Sequence, residues 1–186
     1  MTTLYIVLGI LALLVLYVII AYNGFVAKVN RAKEAWADID VQLKRRYDLI
    51  PNLVETVKAY ATHEREVFDR VTKARAQAMQ AGSTTDRAEA ENQLTGTLKS
   101  LFAIAEAYPD LKANQNFLQL QQELGNTEDK IQAARRFYNQ NVMALNTSIQ
   151  SFPGNLIANT FNFHEMTLFE LSEADAAARE PVRVAF

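Results

Sequence analysis

The sequence predicts an all-α protein: one N-terminal transmembrane helix, then an elongated antiparallel helical bundle of three to four helices, the first of them long and kinked. Three observations carry this expectation. Residues 4–22 contain no charged side chain. Beyond them, apolar residues recur every seven positions, the spacing of a narrow helical seam. Six glycines and four prolines are all that punctuate 186 residues, and no alternating polar–apolar run argues for a strand.

The first element is the anchor. Residues 4–22 read LYIVLGILALLVLYVIIAY, about 28 Å of helix and close to the hydrocarbon thickness of a bilayer. Tyr5 lies near one end, and Tyr22 and Phe25 near the other, where rings favour the headgroup zone. A cleaved secretory signal is the competing reading. It needs a basic start and a small-residue cleavage site, and the sequence has neither. Lys28, Arg31 and Lys33, then Lys44, Arg45 and Arg46, follow the run, and no basic side chain precedes it. The positive-inside rule therefore expects residues 1–3 outside and the bulk of the chain in the cytoplasm.

The next element is a long helix over residues 23–81. Val29, Trp36, Leu43, Ile50 and Val57 repeat at seven, with Ala32, Ile39, Leu53 and Tyr60 between them. Val67, Val71, Ala74 and Ala78 continue the stripe. Pro51 removes a backbone donor and disfavours helical angles at Ile50, which predicts a kink or short break. If nearly continuous, this stretch runs about 85–90 Å, so a rod is expected.

Gly82-Ser83-Thr84-Thr85-Asp86 reads as a loop with helix-start chemistry. A second helix follows from about Asp86 to Glu106, with Leu94, Leu98, Leu101, Ala105 and Tyr108 on one face, and Pro109 ends it. The third helix starts near Leu111 and stops before Pro153. Its seam is Phe117, Leu124, Ile131, Tyr138, Leu145 and Phe152, and Gly125-Asn126 is a candidate perturbation midway. Residues 155–171 are rich in aliphatic and aromatic side chains. Residues 172–186, SEADAAAREPVRVAF, have the composition of a flexible tail.

Composition excludes several functions. Nineteen basic and 21 acidic side chains give a net charge of −2, unlike a general nucleic-acid binder. The absence of cysteine excludes disulfides, thiolate metal sites and cysteine nucleophiles. A di-iron bundle needs Glu-x-x-His pairs, yet Tyr60 precedes His63 and Phe161 precedes His164 by three. No phosphate-cradling glycine loop or nucleophile elbow occurs. No metal, cofactor, catalytic residue or small-molecule substrate is therefore expected.

Polar residues beside the seams are the candidate contacts. Lys44, Arg45, Arg46 and Asp48 precede Pro51, and Asn52 follows it. Glu128, Arg135, Arg136, Asn139, Asn141 and Asn146 cluster on the third helix, and of that helix Arg135, Arg136, Tyr138 and Asn139 are the contact candidates. One reading makes these solvated charge and buried pairs that set helix register. The other turns them toward a second subunit or a partner helix. The stretch from Phe152 to Phe169 also has two readings, packing onto the bundle end or lying against a membrane surface.

Three runs resemble the LemA family: AWADIDVQLKRRYDLIPNLVETVKAYATHE at residues 35–64, YPDLKANQNFLQLQQELGNTEDKIQAARRFYNQNV at residues 108–142, and FPGNLIA at residues 152–158. The resemblance covers nearly the whole chain. It implies a short outside N-terminus, one span and a cytoplasmic antiparallel bundle, and it implies no enzyme. Some relatives in the family are linked to magnetosome membrane formation. The tail matches no feature of the family.

The expected function is that of a non-enzymatic, single-pass scaffold in the bacterial inner membrane. Residues 4–22 sit in the bilayer, and the exposed stripes pair with copies of the chain. The alternative is an adaptor or regulatory partner of another membrane protein, such as a membrane protease.

Overall fold

A computed structural model of the chain describes residues 1–170. These form six helices: α1 (Thr2–Lys58), α2 (Arg65–Gln80), α3 (Thr84–Glu106), α4 (Pro109–Lys112), α5 (Gln115–Gln150) and α6 (Gly154–Thr160). No strand occurs among the described residues. The all-α class and the long apolar first helix agree with the sequence. The tail assigned to residues 172–186 lies outside the described residues.

The helix boundaries follow local chemistry. Ser83 caps α3, its hydroxyl accepting from the Asp86 backbone N–H at 3.0 Å. Pro109 opens α4 at a position where its missing N–H costs nothing. Asn114 begins α5 by accepting from the Phe117 N–H at 3.0 Å. Gly125 and Asn126 leave α5 unbroken.

Of the kink or short break expected at Pro51, the break is absent. α1 runs through it without a break and stops only at Lys58. A proline at this position leaves the carbonyl four residues back, that of Tyr47, without its helical donor. Arg75 on α2 fills the vacancy: its Nε donates to the Tyr47 carbonyl at 2.7 Å. The real break comes at residues 59–64, which turn between α1 and α2. Tyr60, expected in the seam, is exposed for that reason, and Ala61 is buried instead.

The chain divides into two compact units. The first comprises residues 1–38 and 134–168. Its core joins Phe25 of α1, Leu145 of α5 and Ile157 and Ala158 of α6, with Val29, Phe163 and Met166 packed against them. Phe25 stacks on Phe163 with centroids 5.1 Å apart, and Tyr22 meets Phe161 edge-on at 4.9 Å. The Phe152–Pro153 peptide bond is cis.

The second unit comprises residues 39–133 and, among the described residues, Phe169 and Glu170. Ile39, Leu43, Ile50, Leu53 and Val57 of α1 are buried in it, with Val67, Val71, Ala74 and Ala78 of α2. Leu94, Leu98 and Leu101 of α3 and Phe117, Leu124 and Ile131 of α5 complete the core. Most seam positions read from the sequence within these residues are thus its interior.

Candidate functional site: a charged cluster at seam positions

Seven-residue spacing places two charges where apolar side chains are the rule. Along α1, Arg46 falls between Ile39 and Leu53, seven from each, and along α3, Glu91 falls seven before Leu98. Both are buried, Arg46 at 2% exposure and Glu91 at 4%. A lone charge there would be prohibitive, so the two must be answered by each other and by polar neighbours.

The second unit supplies those partners. Arg46 Nη1 lies 3.4 Å from Glu91 Oε2 and 3.0 Å from Glu128 Oε2 on α5. Arg46 Nη2 donates to Thr95 Oγ1 at 2.7 Å and to the Glu91 carbonyl at 3.5 Å. Tyr47 Oη donates to Glu91 Oε1. Arg46 Nε and Glu91 Oε2 have no hydrogen-bond partner, so the guanidinium and the Glu91 carboxylate attract as charges without an aligned hydrogen bond between them, and the one hydrogen bond Arg46 makes to Glu91 goes to its backbone carbonyl.

Burial dominates the electrostatics. It pushes the Glu91 carboxyl above its ordinary range, and Arg46 and the Tyr47 hydrogen bond offset this only in part. Burial, the hydrogen bond to Glu91 and that group's charge all hold the Tyr47 phenol protonated well beyond the usual range. Nearer solvent, Arg45 pairs with Glu123 at 2.6 Å and Arg87 with Asp40. Such exposed pairs contribute little. An open groove of about 300 Å³ lies alongside, lined by Asp40, Leu43, Lys44, Tyr47, Asp48, Met79 and Arg87.

This cluster can fix register. Sliding α1 or α3 by one residue would separate Arg46 from Glu91 and bury each alone, so one alignment of α1, α3 and α5 is favoured over its neighbours. Among the described residues, no group of three or more His, Asp or Glu side chains is placed to hold a metal ion.

The sequence-predicted contact residues separate by exposure. On α1, Lys44, Asp48, Pro51 and Asn52 are exposed, Arg45 is exposed but paired with Glu123, and Arg46 is interior. On α5, Arg136 is exposed, Asn139 is half-buried, and Arg135 and Tyr138 are buried within the first unit. Tyr138 Oη donates to the Thr167 carbonyl at 2.9 Å, and its ring lies 5.2 Å from that of Trp36. The α5 candidates lie in the first unit and the α1 candidates in the second. Sequence reasoning missed Tyr47, Glu91, Thr95 and Glu123. Spacing alone flags Glu91, because it occupies the Leu98 and Ala105 position of its seam.

The chain is similar in sequence to known proteins. The chain is 27% identical over 154 residues to Protein LemA of Metamycoplasma hominis, covering 82% of this chain and 70% of that one. It is 23% identical over 174 residues to Magnetosome protein MamQ of Magnetospirillum gryphiswaldense, and a second MamQ, from Paramagnetospirillum magneticum, matches at 23% over 175 residues. The chain spans 64% of the length of each of these two magnetosome proteins. A family model described as LemA family matches residues 35–186, which is most of the sequence, and the chain belongs to the LemA family.

Proposed function

We propose that this protein is a non-enzymatic helical scaffold held in the bacterial inner membrane by a single span, its N-terminus outside and its bulk cytoplasmic, and that it associates with copies of itself. The observation that carries the reading is the exposed apolar surface of residues 4–22. Leu8, Leu11, Val15 and Ile19 are each more than half exposed, and the most apolar stretch of α1 has none of its residues buried. Water would penalise so large an apolar surface, whereas hydrocarbon accepts it.

Self-association is supported by the outward side of α5 in the first unit. Phe137 and Met143 are both more than half exposed there, beside Arg136. Apolar side chains left open on a tethered helix meet their counterparts readily, because anchoring raises their effective concentration. The MamQ relatives carry the word magnetosome in their names, which favours a role in organising membrane structures.

Light scattering on the full chain in mild detergent, over a concentration series, tests the association. Mass above one chain that falls on dilution is expected, and a strict monomer at every concentration overturns self-association. Protease added to sealed inner-membrane vesicles of known orientation tests the topology. Digestion of the bulk from the cytoplasmic face is expected, and digestion from the opposite face overturns the orientation.

A further inference from the structure

The first unit carries an apolar patch that its own core does not use. Phe152 is 80% exposed, Leu156 57% and Phe161 44%, all within ten residues of one another. Their neighbours Ile157 and Ala158 are buried against Phe25 and Leu145, so α6 is fixed in place while Leu156 points away from the core. The position of this patch along α1 is defined by a ring contact: Phe161 lies edge-on to Tyr22, the last residue of the uncharged apolar run.

We propose that Phe152, Leu156 and Phe161 form, with Tyr22, an aromatic–aliphatic collar that beds into the headgroup–acyl boundary of the bilayer holding residues 4–22. The proposal rests on the anchor reading. If the span is inserted, the level of Tyr22 is the bilayer surface, and a side chain touching Tyr22 is at that surface too. Tyr22 suits this zone because its ring leaves water while its hydroxyl stays solvated, and phenylalanine and leucine side chains bed into the same boundary from interfacial elements.

Lys28 supports the same depth. It follows Tyr22 by six positions, about 9 Å of helix, and its Nζ lies 5.7 Å from the Phe25 centroid. From there its flexible stem reaches back toward lipid phosphate. Glu165, on the adjoining segment, accepts from Gln150 Nε2 at 3.0 Å. A carboxylate four positions after Phe161 in sequence adds no attraction for anionic lipid, so the collar is assigned to a zwitterionic surface. The consequence is a second attachment, which fixes the first unit's orientation at the membrane where a bare span would leave it free to swing.

The test exploits the absence of cysteine in the chain. Single spin labels are placed at Phe152→Cys, Leu156→Cys, Ile10→Cys and Ala37→Cys in the full chain, reconstituted in phosphatidylcholine vesicles. Accessibility to oxygen is then compared with accessibility to a polar nickel complex. Ile10 is within the span, and Ala37 stands 15 positions, about 22 Å, beyond Tyr22.

Labels at 152 and 156 are expected to favour oxygen severalfold over the label at 37 and to read shallower than the label at 10. If 152 and 156 match 37 while 10 is immersed, the collar is overturned and the anchor stands. If 152 and 156 are shielded from both reagents and show spin coupling between chains, a second copy covers the patch and the collar is again overturned. If 10 is itself open to the nickel complex, the anchor reading falls and takes the collar with it.

Discussion

Asn146 holds the backbone of Met166 with both ends of its side-chain amide: Nδ2 donates to the Met166 carbonyl at 2.9 Å, and Oδ1 accepts from the Met166 N–H at 3.0 Å. The segment at residues 164–169 has no regular secondary structure, so its backbone groups lack ladder or helix partners. α5 supplies them from its side chains, Asn146 to Met166 and Tyr138 to the Thr167 carbonyl. Asn146→Ala removes both bonds at Met166. A loss of about 2 kcal/mol is expected, at about 1 kcal/mol for each neutral hydrogen bond. Urea unfolding measures it, and Asn146→Leu, which keeps the side-chain volume but makes neither bond, should lose at least as much. A leucine variant as stable as the parent would mean that packing, and not the paired bonds, holds the segment.

Glu91 gives the second unit a pH dependence of definite sign. Its folded-state carboxyl is raised above the ordinary value of 4.5, with burial as the largest cause. Between the ordinary and the raised value, the folded protein keeps a proton that the unfolded chain has released. Unfolding free energy therefore falls as pH climbs through that window and levels off above it. Tyr47 titrates far above this range and adds nothing there. Glu91→Gln cannot titrate, so the variant should gain on the parent progressively with rising pH. Denaturant midpoints across the acid-to-neutral range check this, and a constant difference between the two proteins would refute it.

The seams were legible because burial follows spacing. Phe117, Leu124, Ile131, Tyr138 and Leu145 are all buried, as their seven-residue repeat predicts. Phe152 continues the count yet is exposed, because α5 ends at Gln150 before reaching it. Periodicity carries no information about where a helix stops. The turn at residues 59–64 contains neither glycine nor proline, and so gave no local signal. The Arg46–Glu91 cluster was half legible: each residue stands at a seam position, but which charge answers which depends on the alignment of α1 with α3. That alignment arises from contacts distant in sequence. Arg75 was illegible for the same reason, since its partner is a backbone carbonyl 28 residues away.

Two glycines should respond to alanine in opposite directions. A Cβ on Gly154 would lie 2.5 Å from the Ser148 carbonyl oxygen and 3.5 Å from Phe25 Cζ. The first obstacle is backbone and cannot swing aside. Gly154→Ala should cost about 1–3 kcal/mol, the range for overpacking. A Cβ on Gly125, inside α5, meets nothing within 4 Å. Gly125→Ala should stabilise by about 0.5–1 kcal/mol, the usual gain from replacing glycine in a helix interior. Thermal unfolding of both variants reads the contrast, and a gain at Gly154 would show that the close approach to Ser148 is relaxed at little cost.

Pro51 and Arg75 form a compensating pair whose coupling can be measured. Because Pro51 has no N–H, the Tyr47 carbonyl depends on Arg75 Nε at 2.7 Å. Arg75→Met leaves that carbonyl without its donor, at an expected cost of about 1–3 kcal/mol. In a Pro51→Ala background the helix supplies its own N–H to Tyr47, so the same Arg75→Met change should cost markedly less. The difference between the two costs is the coupling energy of a double-mutant cycle, and it should be positive by about 1 kcal/mol or more. Arg75→Lys separates the hydrogen bond from charge and packing: a lysine donor that still reaches Tyr47 should retain part of the stability that methionine loses. If Arg75→Met costs the same in both backgrounds, Arg75 stabilises α2 by other contacts, and α1 carries Pro51 without help from it.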